Sequence, residues 1–551
     1  MRLPLPARLL PAAIALACCV SAQISDPAAP GPMPVANTFY RFNRVQVPAI
    51  PYPVDIWGTV WHPDGMAGGP YPLLIFIHGN HGICREPGTM RDFGTTLTPP
   101  YCPSNFEQTP NHLGYDYIAA RLAGYGFVVV SINANAINVR ANGNPERGRL
   151  VQEHLRYWAL WNSSEGGFPF GRRFTGRVNL QNVGLMGHSR GGEGVRAAYN
   201  FNRQEGSQFG IRAVLEIGPV DFGRIPTITT PNPIFNVDDV NFSVLLPACD
   251  GDVADNQGMR IYDRARVLRE NQLLSPKSQI YLLGANHNFF NAEWLPEDPN
   301  FQCIDFPIIT DRPQQEQIGM VYTMGFFRTY IGGEDFRYLF HGDGRPPQSI
   351  RVPVAQSYTE SPNDILLVDD FSVVKSPDEN LAGGSNTSNN LEIKTCSGTT
   401  CNEPPPAGWV HDASTFAAKI GWPGQGTGTP NLIMRLAQEG MSRDVSRFAL
   451  LGIRVAAQFD PRNPNTPASQ NFSVRLIDSA GVVSNSIAVG ELRPIPYPTG
   501  AFFRRSVLRT IRIPLADFRG ADRARIAAVE FVFDKNREGA IFLTDVHFSP
   551  R

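Results

Sequence analysis

One stretch of this chain carries the chemistry of an activated serine. Gly187-His188-Ser189-Arg190-Gly191-Gly192 follows the apolar run 183–186, so a G-x-S-x-G motif falls between an expected strand and an expected helix. A turn that tight leaves no room for side chains beside the serine, which accounts for the glycines. It also lifts the hydroxyl to a helix N-terminus, where developing negative charge is favoured. A serine needs a base to take its proton, and the base needs a carboxylate to orient it. Downstream, the apolar run 243–246 is followed by Asp250, Asp252 and Asp255. A second run, 280–283, is followed by a Gly/Asn loop holding His287, the sole histidine between His188 and His341. Nucleophile, acid and base in that chain order suit a serine on a strand-to-helix turn. The expected triad is therefore Ser189, Asp252 and His287. Asp252 is preferred because it stands a turn beyond its strand and ahead of the next helix. Asp250 is the alternative acid, and Asp255 the third candidate.

Acyl transfer also needs two backbone N–H donors aimed at the oxyanion. Arg190, the residue after the nucleophile, is expected to supply one. The loop His78-Gly79-Asn80-His81-Gly82, after the strand at 73–77, is expected to supply the other, with Asn80 the first choice and His81 the second. His78 and His81 read as loop-packing side chains, and His188 as a structural neighbour of the nucleophile.

Stepping from the residues to their supports, short apolar runs alternate with helical stretches from about residue 40 to 335. Strands are expected at 54–61, 73–77, 127–132, 183–186, 213–217, 244–246 and 280–283. Helices are expected at 115–123, 146–161, 191–199, 259–269 and 317–330. This alternation implies an α/β class with a doubly wound, mostly parallel sheet. The loop 83–111 has Pro99, Pro100, Pro103 and Pro110 and no clear period, and it is expected at the rim of the site. Residues 353–365 read as a polar linker. Beyond them the apolar residues alternate, as in Phe472, Val474 and Leu476, which predicts an all-β, jelly-roll-like sandwich over 366–551. Residues 380–400 read as a loop.

Taken in order, HGNHG, GHSRGG, the Asp250/Asp252 segment and the His287 loop resemble the α/β-hydrolase superfamily over about residues 40–335. The likeness is nearest to secreted esterases of the cutinase, polyester-hydrolase and dienelactone-hydrolase-like group. It implies an α/β-hydrolase fold for residues 23–352, with Ser189, Asp252 and His287 as triad and Asn80 and Arg190 as oxyanion donors. It also implies an ester substrate, small or polymeric, and no metal or organic cofactor. The Ser189-Arg190 pair is similar to glucuronoyl esterases as well, although the lysine of that motif is missing. A carbohydrate esterase, glucuronoyl- or acetyl-specific, is therefore the alternative, and a hydrolase-type scaffold that only binds is the second rival. Residues 366–551 resemble galactose-binding-like jelly rolls, which implies a polysaccharide or polymer surface as partner. Trp409 and Trp422 are its candidate stacking residues, against a reading as core aromatics. Asp369, Asp370 and Asp545 are candidate ligands for a structural Ca²⁺, against a reading as ordinary carboxylates.

Composition bounds these readings. The chain has 551 residues, more than the roughly 250–300 at which one core stops growing, so at least two domains are expected. Charged residues make up 18% and hydrophobic ones 42%, an ordinary globular balance. With 49 basic and 50 acidic residues the net charge is −1, too little positive charge for nucleic acid as a main partner. Arg2 and Arg8, the apolar run 9–20 and Val20-Ser21-Ala22 form a secretory signal, expected to be removed after Ala22. A retained anchor, or a lipoprotein site at Cys18 or Cys19, is the alternative. The run is too short for a membrane span, so a secreted protein, extracellular or periplasmic, is expected. Of eight cysteines, two belong to the signal. The other six are expected as the disulfides Cys84–Cys102, Cys249–Cys303 and Cys396–Cys401, because each pair closes one local loop. No C-x-x-C pair suggests zinc.

Overall fold

Apolar side chains at nearly every position of 73–77 and 128–132 mark strands buried on both faces. In the computed structural model these two strands are neighbours inside a nine-stranded sheet. The structure describes residues 26–550 except 94–100, 139–142, 224–232, 266–275, 296–297, 299–302, 304–306, 343–345, 361–364, 373–377, 403–406, 425–427, 464–469 and 501–503. The expected signal segment 1–22, with Cys18 and Cys19, lies outside the described residues.

The sheet strands are β1 (Val35–Val45), β2 (Val54–Pro63), β3 (Tyr71–Ile77), β4 (Val128–Ile132), β5 (Val178–His188), β6 (Ile211–Ile217), β7 (Asn241–Pro247), β8 (Lys277–Leu282) and β9 (Val354–Thr359). Their spatial order is β1-β2-β4-β3-β5-β6-β7-β8-β9. Alternate side chains of one strand feed two separate cores, as the two-residue period of a strand requires. Leu73, Ile75 and Ile77 enter one core, while Leu74 and Phe76 enter the other. The first core is closed by α2 (Asn144–Asn162) and α3 (Arg190–Gln204), which supply Leu155, Trp158, Val195 and Ala198. The second is closed by α1 (Asp116–Ala123) and α5 (Arg312–Tyr330), which supply Ile118, Leu122, Tyr322 and Phe327. A seven-residue helix, α4 (Gly258–Arg264), precedes β8.

Helix α3 holds three glycines at a cost of about 1 kcal/mol each relative to alanine. Close packing explains them. A Cβ on Gly194 would meet Arg147 Cβ at 2.7 Å, and one on Gly148 of α2 would meet Ala197 Cβ at 2.7 Å.

The C-terminal residues form antiparallel sheets. One runs in the order Glu392–Ser397, Phe416–Trp422, Gly539–Ser549, Leu450–Ala457, Arg509–Pro514, with Leu366–Asp369 also pairing Gly539–Ser549. The other runs Asn386–Asn389, Asn431–Arg435, Ile526–Val532, Ser473–Asp478, Ile487–Ala488. Both contribute to one core, through Ile453 and Val455 on one side and Met434, Val474 and Phe531 on the other.

These findings correct the expected fold class, a doubly wound, mostly parallel α/β-hydrolase sheet followed by one all-β, jelly-roll-like sandwich. The described residues are 33% strand and 23% helix, with a large mixed sheet and several antiparallel ones. Within the large sheet three of the eight neighbouring pairs are antiparallel: β1 with β2, β2 with β4, and β8 with β9. The polar segment 353–365, expected as linker, supplies β9, which closes the sheet edge beside β8. Residues 380–400, expected as a loop, contain two strands, because their Asn, Ser and Thr side chains sit on strands whose backbone partners decide pairing. The loop 83–111 carries a small three-stranded sheet of its own.

The three expected cysteine pairs are joined, with Cα–Cα distances of 5.4 Å (Cys84–Cys102), 5.2 Å (Cys249–Cys303) and 4.9 Å (Cys396–Cys401). No helix among the described residues is long and apolar enough to cross a membrane. Trp422 is fully buried in the C-terminal core and donates its indole N–H to Asn536 O at 3.1 Å, so it is a core aromatic rather than a stacking surface. Trp409 packs its ring 5.1 Å from that of Phe542. Asp369 is buried with Oδ1 accepting from Phe371 N and Oδ2 from Asn386 Nδ2. Among the described residues no group of three or more His, Cys, Asp and Glu side chains is placed to hold a metal ion.

The second core depends on Phe327 of α5, whose ring lies 5.9 Å from that of Phe76 and would strike any Cβ placed on Gly184 of β5. Phe327→Ala is expected to destabilise the chain by about 3–5 kcal/mol. Urea unfolding followed by tryptophan fluorescence checks this as a lower midpoint.

Candidate active site

The parallel strands β3, β5, β6, β7 and β8 deliver their C-terminal ends to one edge of the sheet, where loops of an α/β arrangement gather ligands. The HGNHG loop follows β3, Ser189 follows β5, Asp250 follows β7 and His287 follows β8.

Ser189 has φ 57° and ψ −125°, a backbone conformation that side-chain-bearing residues rarely adopt. Four glycines make the turn feasible. A Cβ on Gly187 would lie 2.2 Å from Gly191 O, and one on Gly191 would lie 2.4 Å from Ile77 O. On Gly192 it would lie 2.6 Å from Pro219 Cβ. On Gly79 it would lie 2.4 Å from Ser189 Cβ and 2.9 Å from Ser189 Oγ. The HGNHG backbone therefore rests directly on the nucleophile candidate. Ser189 N donates to Ile217 O at 2.9 Å, and the next residue, Gly218, lies against the imidazole of His287 and the carboxylate of Asp250. The His188 and His287 rings are 4.7 Å apart.

His287 Nδ1 donates to Asp250 Oδ2 at 2.9 Å, and both side chains are almost wholly buried. Asp250 Oδ1 accepts from Asp252 N at 3.0 Å and from Val253 N at 2.6 Å. This corrects the choice of acid. Asp252 is 62% exposed and sits 3.5 Å from His287 Nε2, on the opposite side of the ring. The reason is local: β7 ends at Pro247, so Asp250 is already clear of the strand. Its carboxylate folds over the following turn, leaving Asp252 to solvent. Asp255 is also exposed and pairs with Arg260. Apart from the 3.5 Å contact with the Asp252 carboxylate, His287 Nε2 has no hydrogen-bond partner among the described residues.

Burial pulls the His287 pKa down, but the charge and hydrogen bond of Asp250, with Asp252 and Asp298 behind them, raise it to about 9. The pair therefore stabilises the fold fully below the ordinary imidazole value of 6.5, and this contribution is lost as pH climbs through about 9. His188 is pushed well below 6.5 by burial and by neighbouring histidines, and its Nδ1 meets Tyr115 Oη at 2.9 Å. His78 is likewise pushed down by burial. Its Nε2 accepts from Ala134 N at 2.8 Å, so Nδ1 carries the proton and donates to Gly79 O. Both rings are neutral struts.

The expected oxyanion donors flank Ser189. Arg190 is the first residue of α3, whose leading N–H groups lack partners inside the helix. Its guanidinium lies over Phe222, 5.5 Å from the ring centroid. Asn80 lies on the loop pressed against Ser189. That loop is pinned by asparagines that sequence reasoning missed. Asn138 Nδ2 donates to His81 O at 3.1 Å, and Asn111 Nδ2 to Gly82 O at 3.0 Å. Trp294 Nε1 donates to Asn111 Oδ1 at 2.8 Å, and its ring stacks on those of His81 and His188. Glu193 follows the motif in sequence and serves as a buried support beside it. It is buried, accepts from Gly223 N at 2.6 Å and bonds Asn144 Nδ2, and burial raises its pKa. Asp298 was missed too. It accepts the His287 backbone N–H, and burial beside Asp250 raises its pKa to about 6. The sequence around it offers no pattern that could have found it.

No family model matches this chain, and no curated protein is significantly similar to it in sequence.

Asp250→Asn is expected to lower the imidazole midpoint of His287 by more than about one pH unit, read by NMR of histidine-labelled protein. Asp252→Asn, on the solvent side, is expected to produce a smaller shift.

Proposed function

We propose that this chain is a serine carboxylic-ester hydrolase working through an acyl-enzyme. The observation that carries the reading is the buried Asp250–His287 pair beside a strained strand-to-helix turn that presents Ser189. Ser189 Oγ attacks the ester carbonyl while His287 Nε2 takes its proton. Asp250 holds the imidazole by Nδ1 and stabilises its cation. The N–H groups of Arg190 and Asn80 receive the oxyanion. The alcohol leaves with the proton from His287, and water activated by the same nitrogen then releases the acid and restores Ser189. The acting residues are all contributed by this chain. Three disulfides suit an oxidising compartment, which supports an exported enzyme.

Ser189→Ala is expected to reduce hydrolysis of short-chain p-nitrophenyl esters at least about 10³-fold while leaving the fold intact. Mass spectrometry is expected to locate a fluorophosphonate adduct on Ser189. Equal hydrolysis by wild type and variant would sink the reading. Only neutral imidazole accepts the serine proton, so kcat/KM is expected to rise with pH toward a plateau above about 9, with the midpoint set by His287. A stopped-pH series of initial rates checks it.

A further inference from the structure

The C-terminal region reaches into the loop that carries Asp250. Arg505 belongs to the short strand Arg504–Arg505, anchored by two backbone hydrogen bonds with Thr499, and its side chain is buried. Among the described residues its guanidinium pairs with no carboxylate, and its acceptors are neutral oxygens. Nη1 donates to Ala254 O and to Asn256 Oδ1, and Nη2 donates to Ala248 O at 3.3 Å. Asn256 in turn donates from Nδ2 to Pro247 O at 2.9 Å. The acceptors thus bracket Asp250, at 247 and 248 before it and at 254 and 256 after it. Within the bracket, Asp250 Oδ1 takes the N–H groups of Asp252 and Val253, and its other oxygen is left for His287.

Burying a guanidinium against neutral oxygens alone costs more than burying an apolar side chain of the same size. What this one achieves is a further tie across a ten-residue loop, from Ala248 to Ala254 and Asn256. A second tie runs in parallel. Arg264, at the end of α4, joins Asp412 of the C-terminal region at 2.9 Å to Asp221 at 2.6 Å, just past Gly218.

We infer that Arg505 is a positioning residue for the acid of the triad, so that the C-terminal region completes the active site rather than serving as a separate binding module. The inference rests on the Ser189–His287–Asp250 reading, and it adds a second role for residues 366–551 beside the expected polysaccharide or polymer surface. Arg505 acts through the 247–256 loop. It touches neither the nucleophile nor the base, so its effect passes through the Asp250–His287 hydrogen bond. The charged and titratable groups facing His287 are Asp250, Asp252, Asp298 and His188, and of these only Asp250 and Asp252 lie on the clamped loop.

The test compares full-length wild type with Arg505→Met and Arg505→Lys. Two readouts are taken: the His287 titration midpoint by NMR, and kcat and KM on a p-nitrophenyl ester. In Arg505→Met the midpoint is expected to fall by at least about one unit. Its kcat is expected to fall about 10- to 100-fold with KM nearly unchanged, and Arg505→Lys is expected to recover part of both. A purely structural role would lower the melting temperature without moving the midpoint. If Arg505→Met does not fold, Asn256→Ala, which removes one acceptor and the tie to Pro247, is expected to shift the midpoint in the same direction. An unchanged midpoint in the folded variant overturns the inference, whatever happens to kcat. Absence of ester hydrolysis by the wild type would defeat the functional reading alone, and the midpoint would still decide the role of Arg505.

Discussion

The carboxylate of Asp250 and the imidazole of His287 meet at 2.9 Å where almost no water reaches either. A charged pair in such a place stands only if its remaining lone pairs and protons are provided for, since removing one partner of a buried pair costs about 3–5 kcal/mol. Much of the surrounding structure supplies that provision. Two backbone N–H groups fill one oxygen of Asp250, and Asp298 takes the backbone N–H of His287. The Cys249–Cys303 bridge ties the residue before Asp250 to the segment that follows His287. The register of β7 against β8 sets the two loops side by side, and Gly218 leaves the space between them open.

The same constraint explains why the two halves of the chain are joined by charge rather than by a loose tether. Strand β9 adds to the large sheet and also touches the C-terminal sheets, where Ser357 Oγ donates to Leu508 O and Tyr358 N to Thr510 Oγ1. Asp263 is held far below the usual carboxylate range, because Arg454 and His411 outweigh the cost of its burial. Arg196, inside α3, joins Glu216 and Asp221 and so links the helix behind Ser189 to the ion pairs of Arg264. Charges buried in this way reward one arrangement of the two halves and penalise sliding, since any shift strands an unpaired group in a dry interior.

Legibility followed the range of the forces involved. The apolar runs of β3 to β8 and the glycine spacing around Ser189 are local patterns, and each appears close to where it was expected, within a few residues. The linker at 353–365 and the loop at 380–400 misled because their strands are polar. An edge or surface strand takes its order from the backbone of its neighbour, and a single sequence does not show who that neighbour is. The choice between Asp250 and Asp252 turned on the residue at which β7 ends and on the direction of one tight turn. Trp422 stayed open between a stacking and a core reading because burial depends on what the rest of the chain brings to that face.

By itself the sequence determined the residues with chemistry to offer, the order in which they occur and the strand-to-helix context of Ser189, because a steric rule about glycine and a two-residue or helical period act within a few positions. It also restricted the cysteine pairs to short loops. Tertiary structure alone decided which carboxylate meets His287, which asparagines pin the HGNHG loop, and that Arg505, 255 positions beyond Asp250, braces the loop on which that acid sits. These are matters of distance through space, of which groups lose their water together, and no local pattern encodes them.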